Sequence, residues 1–218
     1  MTIKRNTVLK PIVFALCLVP FALLAFGAEQ MITGRNPSAL GANPVERITH
    51  QTGLWTLRLL LITLAITPLR RLTQVQWLIQ YRRMMGLFAF FYGCLHISTW
   101  VILDHQFDVM AMAHDIAKRP FITMGTLSYL LMVPLALTST QGMMRRLGKR
   151  WQKLHRLVYV SAAAGSIHFI WLVKKDIREP LIYFGILTIL LAFRSVNWLR
   201  AQSKTKSQAP QREPVAAE

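Results

Sequence analysis

Apolar residues in this chain fall into six blocks, each near the length that spans a hydrocarbon core of about 30 Å. They cover approximately residues 11–28, 54–69, 84–103, 121–139, 154–173 and 180–199. This pattern predicts an all-α integral membrane bundle of six transmembrane helices, one domain over 1–200. The polar tail, 201–218, carries two prolines and is expected to be disordered. Block one follows Lys4, Arg5 and Lys10, and its apolar run exceeds the 7–15 residues usual in a signal peptide, which favours a retained span. The segment 29–53, rich in Gly, Pro and Asn, reads as a polar connection. Arg58 falls inside block two and is expected to snorkel its charged head to the nearer interface. Trp77 and Tyr81, between blocks two and three, suit a membrane interface. No internal repeat stands out.

Composition agrees with the pattern. Hydrophobic residues make up 53% of the chain and charged residues 16%, against roughly a quarter charged in soluble domains. The formal charge of +17 raises the question of nucleic acid. The basic residues lie between apolar blocks, where membrane proteins concentrate them, so no nucleic-acid partner is expected. One set of connecting segments holds eighteen Lys and Arg and the opposite set seven, with Arg58 the remaining one. That asymmetry puts both termini in the cytoplasm of a bacterial inner membrane. Cys17 and Cys94 lie inside apolar blocks and are too few for a disulfide framework or a zinc site.

Candidate chemistry rests on histidine. His50, His105 and His114 fall in or beside the outer connections and read as solvated loop residues. His96 and His168 lie inside predicted spans, where ionisable residues are rare and usually functional. His96 is seven residues from the outer end of block three, and His168 five from the outer end of block five. At 1.5 Å per residue they lie about 10 and 8 Å below the same surface. Two imidazoles on facing helices can hold a cofactor in a bundle core. Depth alone leaves open a pair of buried histidines bonded to backbone carbonyls. His155 begins block five amid Arg150, Lys153 and Arg156 and reads as interfacial. Thirteen residues separate it from His168, about 20 Å of rise and roughly 140° of rotation on an ideal helix. Arg82, Arg83, Arg145, Arg146 and Arg150 form a basic collar. The positive-inside asymmetry accounts for it without a ligand, and haem propionates, a flavin phosphate or anionic lipid are what it would pair. No G-x-G-x-x-G, P-loop, C-x-x-C-H or H-E-x-x-H stretch occurs, so nicotinamide binding and covalent c-type haem are unsupported.

Several stretches resemble the MsrQ family, also called YedZ: LGANPVERITHQTG at 40–53, ITPLR at 66–70, RRMMGL at 82–87, RPFITMG at 119–125, LALTST at 135–140, LGKRWQKLHRLVY at 147–159 and IHFIW at 167–171. The resemblance covers about 40–193. It implies the ferric-reductase-like transmembrane superfamily, with haem iron ligands from the third and fifth of six helices. His96 and His168 then correspond to the outer pair, and His155 to a further histidine implicated in haem binding. Larger superfamily members carry an inner histidine fourteen residues before the outer one on the third helix; that position here is Arg82. They also carry a cytoplasmic flavin and nicotinamide domain that has no counterpart here. The resemblance implies haem b and FMN as cofactors, though no FMN motif can be assigned. It implies electron input from quinol or a cytoplasmic flavin reductase, and delivery to MsrP, a periplasmic molybdenum-containing methionine sulfoxide reductase. The chain itself would not touch the sulfoxide.

Two other functions compete. One is a stand-alone ferric or quinone-linked membrane cytochrome, distinguished by the lack of a co-purifying molybdoprotein. The other is a haem-free transporter or assembly scaffold, distinguished by a visible spectrum. Transporters tend to show repeated halves and helices broken at the midplane, and the sequence shows neither.

Overall fold

The computed structural model describes residues 2–207, and every regular element among them is helical. In chain order these are α1 (Thr2–Ile32), α2 (Pro44–Thr73), a 3-10 helix (Gln76–Tyr81), α3 (Arg82–Thr99), a π turn (Trp100–Asp104), α4 (Val109–Lys118), α5 (Pro120–Leu137), α6 (Gln141–Leu147), α7 (Lys149–Leu154), α8 (Leu157–Leu172) and α9 (Arg178–Ser207). The molecule is an integral membrane helical bundle. Among the described residues, five helical stretches are long and apolar enough to cross a membrane: Val8–Ile32, Pro44–Thr73, Gln76–Asp104, Pro120–Leu137 and Arg178–Arg200. The remaining apolar block supplies α8, a shorter helix of 16 residues packed between α5 and α9.

α2 begins ten residues before the apolar block that announced it. Asn43 caps it, its side chain accepting from the Glu46 N–H at 3.2 Å, while the Asn43 amide donates to the Glu46 carboxylate at 3.1 Å. Pro44 takes the first helical position, where a missing N–H costs nothing. The expected connection over 29–53 is therefore mostly helix, and His50 sits on α2. At the other terminus, α9 runs to Ser207, seven residues into the polar tail. Residues 208–218 lie outside the described ones.

Two helix pairs build the core, α2 with α3 and α5 with α8. The second pair is drawn close by small residues. Ser128 donates to the Ser161 carbonyl at 2.9 Å and Ser161 returns a bond to the Ser128 carbonyl at 3.0 Å. Such contacts replace the hydrophobic drive that lipid does not supply between helices. α1 is joined by another device. The Phe21 N–H, which would normally bond the Cys17 carbonyl, donates instead to the Tyr92 hydroxyl at 3.1 Å, and that hydroxyl donates to the Cys17 carbonyl at 2.7 Å. A fully buried side chain of α3 is thus inserted into the backbone ladder of α1, beside Pro20.

Arg58, expected to snorkel, is engaged by protein partners. Its guanidinium donates to the Tyr183 hydroxyl at 2.7 Å, lies 3.7 Å from the Glu179 carboxylate and stacks over Trp55. Glu179 is in the first turn of α9, where a carboxylate also complements the helix dipole.

Candidate functional site

A cavity of about 510 Å³ lies where the two helix pairs meet, within the size range of cofactor pockets. Leu54, Leu57, Leu60, Met132 and Phe169 give it apolar walls, and His50, Trp100, Asp104, His105, Asp115 and Arg119 give it a polar rim.

His96 on α3 and His168 on α8 both line this cavity, their ring centres 6.2 Å apart and planes at 74°. The depth reasoning holds: two residues 72 positions apart meet at one level. Each ring is fixed through Nδ1. That of His96 lies 2.8 Å from the Thr49 carbonyl of α2, and that of His168 lies 2.6 Å from the Phe121 carbonyl of α5. A carbonyl can only accept, so each Nδ1 carries the proton and each Nε2 keeps a free lone pair. Carbonyl-oriented imidazoles of this kind are the usual metal ligands. The sequence left two alternatives open, a ligand pair or carbonyl-bonded histidines; the structure shows the carbonyl bonds, which use Nδ1 alone and are compatible with either.

Glycines make the arrangement possible. A Cβ at Gly53 would stand 2.9 Å from His96 Cε1, and one at Gly125 would stand 2.9 Å from His168 Nδ1. Gly53 follows Thr49 by four residues and Gly125 follows Phe121 by four, so in each supporting helix one face offers a carbonyl and, a turn later, a gap. Each histidine is also preceded by a glycine three residues earlier, Gly93 and Gly165, where a Cβ would meet Met132 at 2.9 Å and Ser128 at 3.2 Å. The two halves of the site thus obey one local rule, a correspondence that a search for internal repeats passes over.

The geometry suits a haem. Imidazole nitrogens bind metals at about 2.0–2.1 Å, so two rings on opposite sides of one ion have centres roughly 6 Å apart. The cavity provides apolar walls for a macrocycle and a polar rim for its carboxylates.

Two residues read as solvated loop histidines are placed differently. His50, half-buried on α2, lines the cavity and meets the Phe169 ring at 6.0 Å between centres. His105 follows the π turn, packs edge-on against Trp100 at 4.7 Å and contacts Asp115 at 3.4 Å, which also pairs with Arg119 at 3.3 Å. The π turn brings Trp100 and Asp104 to the rim, a use of such turns common at functional sites. His114 is exposed, as expected.

His155 is not part of this cavity. It lies in a two-residue turn between α7 and α8, so no continuous helix joins it to His168 and the 140° ideal-helix angle does not apply. Its ring stacks on Trp151 at 3.8 Å, and its Nδ1 donates to the Trp151 carbonyl at 3.1 Å. Trp151 is anchored to the end of α5 by a bond to the Thr138 carbonyl at 2.9 Å. The Nε2 of His155 is buried and makes no hydrogen bond of good geometry among the described residues, although the Leu135 carbonyl also faces the ring.

An all-helical membrane bundle with a histidine from each of two helices meeting in its core defines the class to which this chain is compared. Residues 52–166 match the family described as ferric reductase like transmembrane component. Within that class, the chain belongs to the MsrQ family. It is 52% identical over 206 residues to the "protein-methionine-sulfoxide reductase heme-binding subunit MsrQ" of Herminiimonas arsenicoxydans, covering 93% of this chain and 90% of the relative. The protein of the same name from Xanthomonas oryzae pv. oryzae (strain MAFF 311018) is 48% identical, covering 93% of each chain. That of Azospira oryzae is 45% identical over 98% of this chain and 91% of the relative.

Proposed function

We propose that this chain is the membrane electron carrier of a methionine sulfoxide reductase system, with a b-type haem bound axially by His96 and His168. The observation that carries this reading is the facing of two imidazoles whose Nδ1 atoms are both tied to carbonyls and whose Nε2 atoms remain free. When bound, haem supplies a one-electron carrier; axial ligands and burial set its potential. The chain's own part is to orient both rings through Thr49 and Phe121 and to enclose the cofactor in an apolar wall. With both imidazoles holding the iron, no position would be left open for oxygen, which would suit electron transfer over oxygen chemistry.

In this reading both termini face the cytoplasm of a bacterial inner membrane, and the cavity rim faces the periplasm. Electrons arrive from quinol or a cytoplasmic flavin reductase and leave at the rim for a molybdenum-containing reductase of the MsrP type. That partner reduces methionine sulfoxide, a reversible lesion. His155, with its buried Nε2, is assigned to a second cofactor or to electron input at the basic end. Met85, near the basic end of α3, packs on Cys17, Sγ to Sδ 3.8 Å, and so is already engaged away from His155. FMN enters through the family resemblance alone. The test is haem content and redox spectra of His96→Ala and His168→Ala in membranes. Full haem in either variant refutes the axial pair.

A further inference from the structure

A second groove, of about 500 Å³, runs between α1 and α3 on the side away from the histidine cavity. Its lining follows a simple rule. Lys10, Phe14 and Leu18 lie four residues apart on α1, and Arg83, Leu87 and Phe91 lie four apart on α3. Steps of four keep to one helix face, so each helix offers a stripe of one cation followed by two apolar residues. Both stripes start at the basic end and extend about 12 Å into the bilayer. Ring contacts between the two helices floor the groove, Phe14 on Phe88 at 5.0 Å and Phe21 on Phe91 at 5.5 Å.

Tyr81 lines the same groove at its basic end. It is only 6% exposed, and its hydroxyl is buried with no hydrogen-bond partner among the described residues. A buried, unpaired hydroxyl is costly unless something bonds it.

We propose that this groove is a binding site for one anionic glycerophospholipid. The phosphate sits between Lys10 and Arg83 and accepts a hydrogen bond from Tyr81 once that ring tilts to bring its covered hydroxyl to the groove, and one acyl chain lies along the two apolar stripes. Charge complementarity decides the occupant. Two cations at the mouth match an anionic headgroup at a basic membrane face, whereas a quinone head is neutral and would leave both unmatched. The lipid would complete the packing of α1, whose own polar attachment to α3 includes the single Tyr92 insertion. The site is independent of the haem reading.

The test uses the full-length, haem-loaded protein in nanodiscs of mixed phosphatidylethanolamine, phosphatidylglycerol and ubiquinone, followed by native mass spectrometry. The wild type should retain one phosphatidylglycerol per chain, enriched about tenfold over its share of the bilayer. Lys10→Gln with Arg83→Gln should remove that enrichment altogether, two basic residues near an anionic headgroup being worth roughly thirtyfold. Tyr81→Phe should reduce it a few-fold. Leu87→Trp, which keeps both cations but fills the groove, should reduce it as strongly as the double variant. Equal retention of both phospholipids, retention of ubiquinone instead, or undiminished retention in the double variant would each overturn the proposal. Should the double variant lose its haem spectrum through misfolding, Leu87→Trp decides: unchanged retention there overturns the site.

Discussion

The two ends of the bundle treat histidine differently. At the rim end, two imidazoles face each other, and each has a carbonyl to hold Nδ1 and a glycine to clear its ring. At the basic end, one imidazole stacks on a tryptophan in a turn between helices, with Nε2 buried. The position on α3 one span away from His96 is an arginine, which stays protonated and cannot ligate iron normally. The two rim imidazoles are held by matching supports from two helices. Where the helix is interrupted at 155–156, a single imidazole is held by a carbonyl and a ring of its own segment.

The largest effect expected from this contrast is in haem content. His96→Ala or His168→Ala should lower haem per chain by roughly tenfold or more, since even the outer supports of metal ligands are worth that much. His155→Ala should leave the main spectrum standing and affect a minor component or the rate of reduction from the basic side. Pyridine haemochrome and redox titration of the three variants in one membrane preparation measure this. Equal loss in all three would erase the distinction between the two ends.

The glycine supports come next. Gly53→Ala and Gly125→Ala each place a methyl 2.9 Å from an imidazole atom. Overpacking of this kind costs about 1–3 kcal/mol, and here it falls on a ring proposed to ligate the haem. Both variants should keep protein in the membrane while shifting the haem potential and lowering haem retention a few-fold. The two should behave alike; an effect in only one would break the local two-fold rule.

Much of this was legible in the chain. Block lengths gave the spans, and counting residues to the block ends put His96 and His168 at one level. The rest was hidden for physical reasons. His50 sits in a polar stretch that is nonetheless helical, and hydropathy is blind to a polar helix turn. Asn43, Pro44 and Glu46 were the available signal, since an Asn cap, a first-turn Pro and a Glu at the third position mark a helix start. The Gly-x-x-His spacing at 93–96 and 165–168 is visible in the sequence, but its meaning depends on which helix each glycine touches. Tyr92 could not be read at all, because its role is to bond a backbone 71 and 75 residues away.

That insertion gives a smaller effect, confined to α1. Tyr92→Phe removes the hydroxyl and leaves the Phe21 N–H and the Cys17 carbonyl without their bridge. Direct bonding between them would require α1 to tighten beside Pro20. Polar contacts between membrane helices are worth about 1–2 kcal/mol in model systems and often less. Tyr92→Phe should therefore lower the thermal midpoint by a few degrees while haem content holds. Loss of haem would mean that α1 supports the cavity, and the separation of the two regions would need redrawing.

The smallest effect separates the acidic residues of the rim from one another. The segment 104–119 holds Asp104, Asp108 and Asp115, and acidic side chains there suit docking of a basic partner surface. The structure gives them different duties. Asp108 caps α4, accepting from the Met110 and Ala111 N–H groups at 3.0 Å. Asp115 has a side chain only 14% exposed and is held between His105 and Arg119. Asp104 is exposed at the cavity mouth and forms no salt bridge among the described residues. Reversing its charge should therefore slow electron delivery to the reductase partner without touching the haem spectrum. Exposed charge pairs contribute about 0.2–1 kcal/mol, so Asp104→Lys should cost a few-fold in rate at low salt. The deficit should shrink as ionic strength rises and screening sets in. Asp115→Asn should do the opposite, loosening His105 and Arg119 at the rim and shifting the spectrum with little salt dependence. Rates measured for both variants across a salt series, alongside their spectra, make the comparison. An Asp104→Lys variant that delivers electrons at the wild-type rate in low salt would place the docking surface elsewhere.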